Sequence, residues 1–557
     1  MKNKKIYLSI VLISISLFLI TNFSSFTNHY AIADDEQQTI YWMYQFQDSN
    51  LFNNDPLTDY ASFFHSQGIA FVAIYYILIK MIGDPILIFK ILSLLFVAVS
   101  AIFIFKIGEA LKNKRLGMIL TGLFLVFLPV MSVTNGFYKN FASVLFLIFL
   151  YFYISKKFIY SLIITSLITL FYAPITLICL TILAISLVDI KNRPTFLIKN
   201  KKKIKWFIAF AILCLFIVSS TTLLRDKSQF GSLITAQEMK EMPEFYNGGR
   251  APVLPTSLSF AYLQNLMPFL LPEMSLFRWD FLKNPLDYWV YYLYALCRMI
   301  VIFGASILFF KKFKMKTFLM KKEIWHLFFS GLILYFVAKM LLFYMYVPKR
   351  YIGYTLPLFL IIFVATKFDE FLDTLKEKAK IRRYIILFIL FFLIFNFPPM
   401  VHSLSSSLNS TDCEKKTQLF DSLSTLPKDT MIAGHPYDMD FIPIFTKRKV
   451  YLNFELSAPF YSKYYDLIKD RTYKLFYVYY TSEEKIFNNF CKLEKVDYFV
   501  FNKEKFSNEY LSNKEFYIKP FNNFIIKLLE KEKDFYFKKI PKKRVFFENN
   551  QFLVVKC

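Results

Sequence analysis

Apolar runs of roughly 18–20 residues recur through about the first 400 residues of the chain, each long enough to cross a hydrocarbon layer of about 30 Å as a helix. That recurrence limits the fold more than any other feature. It predicts a polytopic α-helical membrane protein, with about eleven transmembrane helices once the loop charges are considered. The last apolar run ends at Phe397, and 398–557 has none. That segment reads as a soluble α/β domain, with helical patterns at Asp412–Leu426 and Tyr461–Leu475 and strand-like runs at Thr430–Ala433, Val450–Phe454 and Tyr498–Phe501. The expected division is 1–397, membrane-embedded, and 398–557, extracytoplasmic.

The formal charge of +26 would suit a nucleic-acid binder, but Lys and Arg gather in short loops between apolar runs, where they orient membrane helices. No nucleic-acid partner is expected. Lys106–Arg115 carries four basic residues, Asp189–Lys205 seven and Lys311–Glu323 six. All fall on one side only if Ile69–Ile82, short and closed by Gly83-Asp84-Pro85, lies in the interface instead of spanning. The basic Lys2–Lys5 end is then cytoplasmic. Ala31-Ile-Ala33 matches a signal-peptidase site, but it lies well past the end of Ile6–Phe23, and that run is long for a signal core. An uncleaved first helix in a bacterial inner membrane is the reading adopted. Two large outer loops follow from it, at 24–85 and 225–287.

The first of these loops holds the most unusual chemistry. Asp34, Asp35, Glu36, Asp48, Asp55 and Asp59 lie in a stretch with no Lys or Arg between Ser24 and Gln67, interleaved with Tyr41, Trp42, Tyr44, Phe46, Phe52 and Tyr60. A row of acids can simply be a solvated face. Beside an apolar boundary, however, charge is costly to desolvate and tends to mark function. One carboxylate could act as a general base on a hydroxyl. Another could orient an acceptor or bind a divalent cation, although the sequence does not require a metal. Cations stand elsewhere in the outer loops. Lys349-Arg350 sits between two apolar runs where basic residues are disfavoured, and Arg250 follows Gly248-Gly249. Either could grip a phosphate, and each has a plainer reading, as a snorkelling anchor or an ordinary turn. Arg225, Arg278 and Lys139 are weaker candidates. No Gly-rich nucleotide loop, GxSxG or HExxH is present.

The six cysteines form no framework. Cys179, Cys214 and Cys297 lie in apolar runs; of Cys413, Cys491 and Cys557, two could pair in an oxidising compartment.

A first helix leading straight to Asp34-Asp35-Glu36, then LFNND (Leu51–Asp55), the short helix Ile69–Ile82, PEFYNGGR (Pro243–Arg250), KRY (Lys349–Tyr351) and a soluble C-terminal segment: this pattern resembles the GT-C superfamily of polytopic membrane glycosyltransferases, which includes protein O-mannosyltransferases, aminoarabinose transferases and oligosaccharyltransferases. The resemblance implies a polyprenyl-phosphate-linked sugar donor, inversion at the anomeric carbon, and a glycan, lipid or protein acceptor. It implies Asp34 or Asp35 as base, with Arg250, Lys349 and Arg350 holding donor phosphate and Glu36, Asp55, Asp59 and Tyr60 contributing to donor or acceptor binding. A transporter, flippase, polymerase or ligase of lipid-linked sugars is the alternative. A transporter should carry ionisable residues inside its spans, and Lys339 is the exception noted in spans otherwise nearly free of charge.

Overall fold

The computed structural model describes residues 2–32, 35–66, 68–131, 133–189, 197–198, 201–222, 226–253, 320–341, 345, 347–375, 415–532 and 534–557. Several expected features lie outside these residues: Asp34, Arg225, Arg278, the spans Tyr288–Phe310 and Tyr384–Phe397, most of Lys311–Glu323, Cys297 and Cys413. The chain divides into a helical unit, Met1–Phe26, Phe89–Thr221 and Ser257–Leu408, and a sheet unit, Thr27–Ile88, Thr222–Thr256 and Asn409–Cys557.

Among the described residues, five helices are long and apolar enough to cross a membrane: Lys4–Thr21, Pro85–Leu111, Lys201–Thr221, Lys322–Met340 and Lys349–Asp373. This is an integral membrane protein with a C-terminal α/β domain. Shorter apolar helices stand at Tyr138–Ile154, Phe158–Thr169 and Ala173–Leu187. Asn113 starts the helix Lys114–Val126 by accepting the Leu116 N–H at 2.9 Å. Pro174 opens Ala173–Leu187 in the first turn, where its missing N–H costs nothing. Packing is close where side chains are small. A Cβ on Gly108 would stand 2.6 Å from the Gly117 Cα, and one on Gly331 would strike the Thr355 hydroxyl.

Two ends of the helical unit collect different chemistry. At one, Lys112 reaches Asp369 at 2.5 Å and Asp373 at 2.8 Å, Arg115 reaches Asp373 at 2.7 Å and also pairs with Asp369, and Lys321 donates to the Ala110 carbonyl at 3.0 Å. Lys156 pairs with Glu323. Loops read from sequence as lying on one side therefore meet. At the other end, Arg350 Nη1 donates to the Tyr172 hydroxyl at 2.9 Å, and the Tyr172 ring lies 5.6 Å from Tyr138 and 6.0 Å from Tyr354.

Two sequence expectations need correcting here. The sequence reads Tyr351–Thr366 as one apolar span; the helix there runs Lys349–Leu375, with Asp369 and Asp373 held by Lys112 and Arg115 in its last turns. And Lys90 joins Lys339 as an ionisable residue inside an apolar run. It is 5% exposed and donates to the Ser25 carbonyl.

The sheet unit is built on five strands: β1 (Met431–Gly434), β2 (Lys449–Val450), β3 (Tyr498–Asn502), β4 (Val545–Glu548) and β5 (Phe552–Lys556). Their order is β2-β1-β3-β5-β4; β1 pairs parallel to β2 and β3, and β5 pairs antiparallel to β3 and β4. Val450–Phe454 does not form the full strand expected. The strand ends at Val450, although the Tyr451 N–H still donates to the Ile432 carbonyl at 2.8 Å; from Phe454 on, the backbone donors are taken by side chains. Asp440 Oδ1 accepts the N–H groups of Phe454 and Glu455 at 2.8 and 2.9 Å, and Asn453 Oδ1 accepts that of Leu456 at 3.0 Å. The helices Thr417–Ser424 and Ser462–Tyr479 stand where helical patterns were read, and helices Glu484–Leu493 and Phe521–Lys531 are additional. Cys491 and Cys557 form a disulfide, tying helix Glu484–Leu493 to the residue after β5. Cys179 and Cys214 are free and buried.

Thr27–Ile88, most of the first loop expected outside, belongs to this sheet unit. Lys428 pairs with Asp48 at 2.7 Å, Tyr30 bonds Asp421, and Tyr60 stacks on Tyr464 at 3.7 Å between centroids with planes 10° apart.

Candidate active site

Asp35 is exposed and immediately precedes a short helix, Glu36–Ile40, whose own residues are sunk into the sheet unit. The Thr39 hydroxyl donates back to the Asp35 carbonyl at 2.8 Å, and Trp42 Nε1 donates to the Thr39 carbonyl at 2.8 Å. The backbone carrying Asp35 is thus held by its own helix, and the residue is exposed. Glu36, expected at donor or acceptor, is fully buried in this helix. Gln38 donates to Glu455 Oε2 at 3.0 Å.

Glu455 brings Arg250 to the same place. Arg250 Nη2 lies 3.0 Å from Glu455 Oε2 and 2.7 Å from its carbonyl; Nε donates to the Phe454 carbonyl at 2.8 Å, and the guanidinium lies 4.3 Å from the Phe454 ring centroid. The sequence shows Arg250 as an isolated cation. In the fold it clamps the corner after β2, with Nη1 as the donor left over from those bonds. Gly248 supplies the turn, at φ +84°, and Gly249 lies so close to the Glu244 backbone that any Cβ would collide with it. The glycines serve the chain's own close approach, and Ala251 N–H bonds the Glu244 carbonyl at 2.9 Å.

Asp440 stands behind this corner. Burial, then the neighbouring Glu455, pushes its carboxyl well above the ordinary carboxylate range, although it accepts two backbone N–H groups. Asp438 behaves oppositely. Burial would raise it, but Lys416, 3.0 Å away, and Lys505 outweigh that and hold it low. His435, at the carboxyl end of β1, is fully buried, and burial drives its pKa down to about 3. Glu455, Gln38 and Asp440 escaped the sequence reading as partners of the acidic loop, because more than 400 positions separate Gln38 from Glu455 (417 residues) and no local pattern joins them.

The other expected residues divide. Asp55 caps helix Pro56–His65 and is 2% exposed. Asp59 is exposed on that helix, and partial burial raises its carboxyl. Tyr60 is 2% exposed and stacks on Tyr464. Lys349 and Arg350 open a helix of the helical unit. Among the described residues no group of three or more His, Cys, Asp or Glu side chains is placed to hold a metal ion.

Solved structures to which this chain is similar include archaeal oligosaccharyltransferases. One is AglB from Archaeoglobus fulgidus in complex with an inhibitory peptide and a dolichol-phosphate: 12% identity, TM-score 0.44, 92% of this chain and 71% of that one covered. Another is the Archaeoglobus fulgidus enzyme tethered to an acceptor peptide containing the NVT sequon, at 12% identity, TM-score 0.46 and coverage of 94% and 72%. The same enzyme in its apo form gives 11%, 0.48, 94% and 72%. No protein-family model and no curated protein matches the chain.

Proposed function

We propose that this protein is an inverting glycosyltransferase that moves a sugar from a polyprenyl-phosphate donor to an acceptor hydroxyl or amide on the extracytoplasmic face. The observation that carries the reading is Asp35, an exposed residue on a backbone held by its own helix, in the acidic loop that follows the first membrane helix. In the reaction a carboxylate of the Asp34-Asp35 pair takes the acceptor proton. The acceptor atom bonds the anomeric carbon from the face opposite the phosphate, and the glycosyl–phosphate C–O bond breaks. The electron pair leaves with the polyprenyl phosphate, whose charge a cation must stabilise. Arg350, Lys349 and the free edge of Arg250 are the groups for that task, with Asp59 on the acceptor side. Donor, acceptor and membrane lipid are the partners on this reading. The Cys491–Cys557 disulfide supports an extracytoplasmic sheet unit, since disulfides persist in oxidising compartments.

The alternative, a transporter or flippase for lipid-linked sugars, has Lys90 in its favour, a buried ammonium within an apolar helix. Transfer from a radiolabelled polyprenyl-phosphate-sugar pool in membranes separates the two. Asp34→Asn or Asp35→Asn at matched protein levels should abolish transfer with donor still bound. Unchanged transfer in both and in the double variant would remove the acidic loop from the chemistry.

A further inference from the structure

Three separate stretches of the helical unit bring lysines to one place. Lys156 stands in the turn between helices Tyr138–Ile154 and Phe158–Thr169, at φ +62°, where glycine is favoured. Lys203 lies in the first turn of helix Lys201–Thr222, and Lys321 and Lys322 open helix Lys322–Met340. Partial burial, then the ammonium groups of Lys322, Lys321 and Lys203, lower the pKa of Lys156, although it also pairs with Glu323. The four charges therefore act on one another.

A neighbouring group at the same end is balanced, with Lys112 and Arg115 facing Asp369 and Asp373. This one is not. Glu323, 5% exposed, pairs with Lys156. Lys321 donates to the Ala110 carbonyl at 3.0 Å, and among the described residues neither it nor Lys322 meets a carboxylate; both are exposed. Orienting a helix needs positive charge in a loop. It does not need charges from three loops gathered together, where they repel until an anion joins them.

The surroundings suit a lipid. Helices Phe158–Thr169 and Lys201–Thr222 run side by side in the same direction: Lys203 Nζ lies 5.5 Å from the Phe158 ring centroid, and Ser166 Oγ lies 3.9 Å from Cys214 Sγ. Tyr160 and Trp206, both exposed, stand in the first two turns of these helices, as aromatic residues do at the edge of a hydrocarbon layer. Farther along, Ile163 and Ile212 are exposed by 42% and 60% and offer acyl chains an apolar wall. Basic pockets between membrane helices hold anionic headgroups in this way.

We propose that Lys156, Lys203, Lys321 and Lys322 hold the phosphate of an anionic phospholipid, whose acyl chains lie along the exposed faces of Phe158–Thr169 and Lys201–Thr222. None of these residues enters the glycosyl-transfer reading, so the two stand or fall separately.

The test is native mass spectrometry of the purified full-length chain in detergent, titrated with phosphatidylglycerol or with phosphatidylcholine of the same acyl chains. The wild type should bind phosphatidylglycerol more tightly. Lys321→Gln with Lys322→Gln should weaken that binding about thirtyfold, the effect of two lysines at an anionic surface, and leave phosphatidylcholine binding unchanged. Lys321→Arg with Lys322→Arg should bind as the wild type does, and loss there as well would overturn the proposal by making packing the cause. Equal affinity of the wild type for both lipids would overturn it. So would an equal loss in Lys542→Gln with Lys543→Gln, which removes the same charge from the exposed surface of the sheet unit. Displacement of the lipid by millimolar inorganic phosphate would give the lysines to a free anion instead.

Discussion

Thr58 donates twice to Asp55, from its hydroxyl at 2.6 Å and from its backbone N–H at 3.2 Å, and both bonds end on Oδ2. Oδ1 is buried with no hydrogen-bond partner among the described residues. Burial dominates, and the carboxyl pKa rises from 3.8 to about 6 against the lowering effect of Thr58 and Arg471.

The raised value sets a sign. The folded state holds this proton more tightly than the unfolded chain, so the associated stability is fully present below pH 3.8 and is lost as pH rises through about 6. The loss amounts to about 3 kcal/mol at 1.36 kcal/mol per unit. Asp55→Asn should keep the cap, since Asn accepts the Thr58 N–H equally well, and should abolish that fall. Thermal unfolding in detergent from pH 4 to 8 checks it: the wild type loses stability across the window while the variant stays level. Parallel curves would mean that Asp55 is solvated in the working protein.

Arg250 holds two carbonyls and one carboxylate with a single fork. Arg250→Ala should therefore lower stability by about 2 kcal/mol, the range for hydrogen bonds to a charged group. Arg250→Lys should recover little of it, because an ammonium cannot span the same acceptors. Glu455→Gln should cost less than either, since both carbonyl bonds survive. Melting temperatures of the three variants decide the order. An Arg250→Ala protein that melts like wild type would show that the corner after β2 does not depend on the guanidinium.

What could be read from the chain, and what could not, follows the range of the interactions. The helices Pro85–Leu111, Tyr138–Ile154 and Ile69–Ile82 were visible because apolar runs and a closing Gly83 are local signals. β4 and β5 were not, because Val545–Glu548 alternates only weakly and Phe552–Lys556 is a short apolar run near the C-terminal Cys557, interpretable only once β3 is there to pair with it. At the candidate site, Asp35 stands out in sequence by its place after the first helix, and the fold leaves it exposed. Glu36 and Tyr60 look like surface groups in sequence, and both are buried in the fold, Tyr60 against Tyr464 from far along the chain. The Arg250–Glu455 clamp joins residues 205 positions apart and leaves no local trace.

Asp369 is fully buried and accepts from both Lys112 and Arg115, joining the end of Pro85–Leu111 to Lys349–Leu375. Its loss strands two cations beside the half-exposed Asp373. Asp369→Ala should cost about 2 kcal/mol, less than for a fully buried pair, because Lys112 and Arg115 keep 39% and 29% of their side-chain surface exposed. Asp373→Ala should cost about 1 kcal/mol or less, since its carboxylate is screened by solvent. A double-mutant cycle with Arg115→Ala measures the coupling. Coupling below about 0.5 kcal/mol would mean that the two helix ends are held by their apolar packing alone.

Cys491 and Cys557 close a loop with a sequence separation of 66, and a crosslink of that length lowers the entropy of the unfolded chain by enough to stabilise the fold by about 4 kcal/mol. Intact mass without reductant should show the chain lighter by two hydrogens, and the Cys557→Ser protein should melt at a markedly lower temperature. The same bond reports which side the sheet unit faces. In spheroplasts, a membrane-impermeant phosphine added outside, followed by a maleimide label, should modify Cys491 and Cys557 if the unit is extracytoplasmic. Labelling that appears only after the membrane is opened would put the sheet unit in the cytoplasm. The proposed transfer on the extracytoplasmic face would fall with it, because Asp35 belongs to that unit.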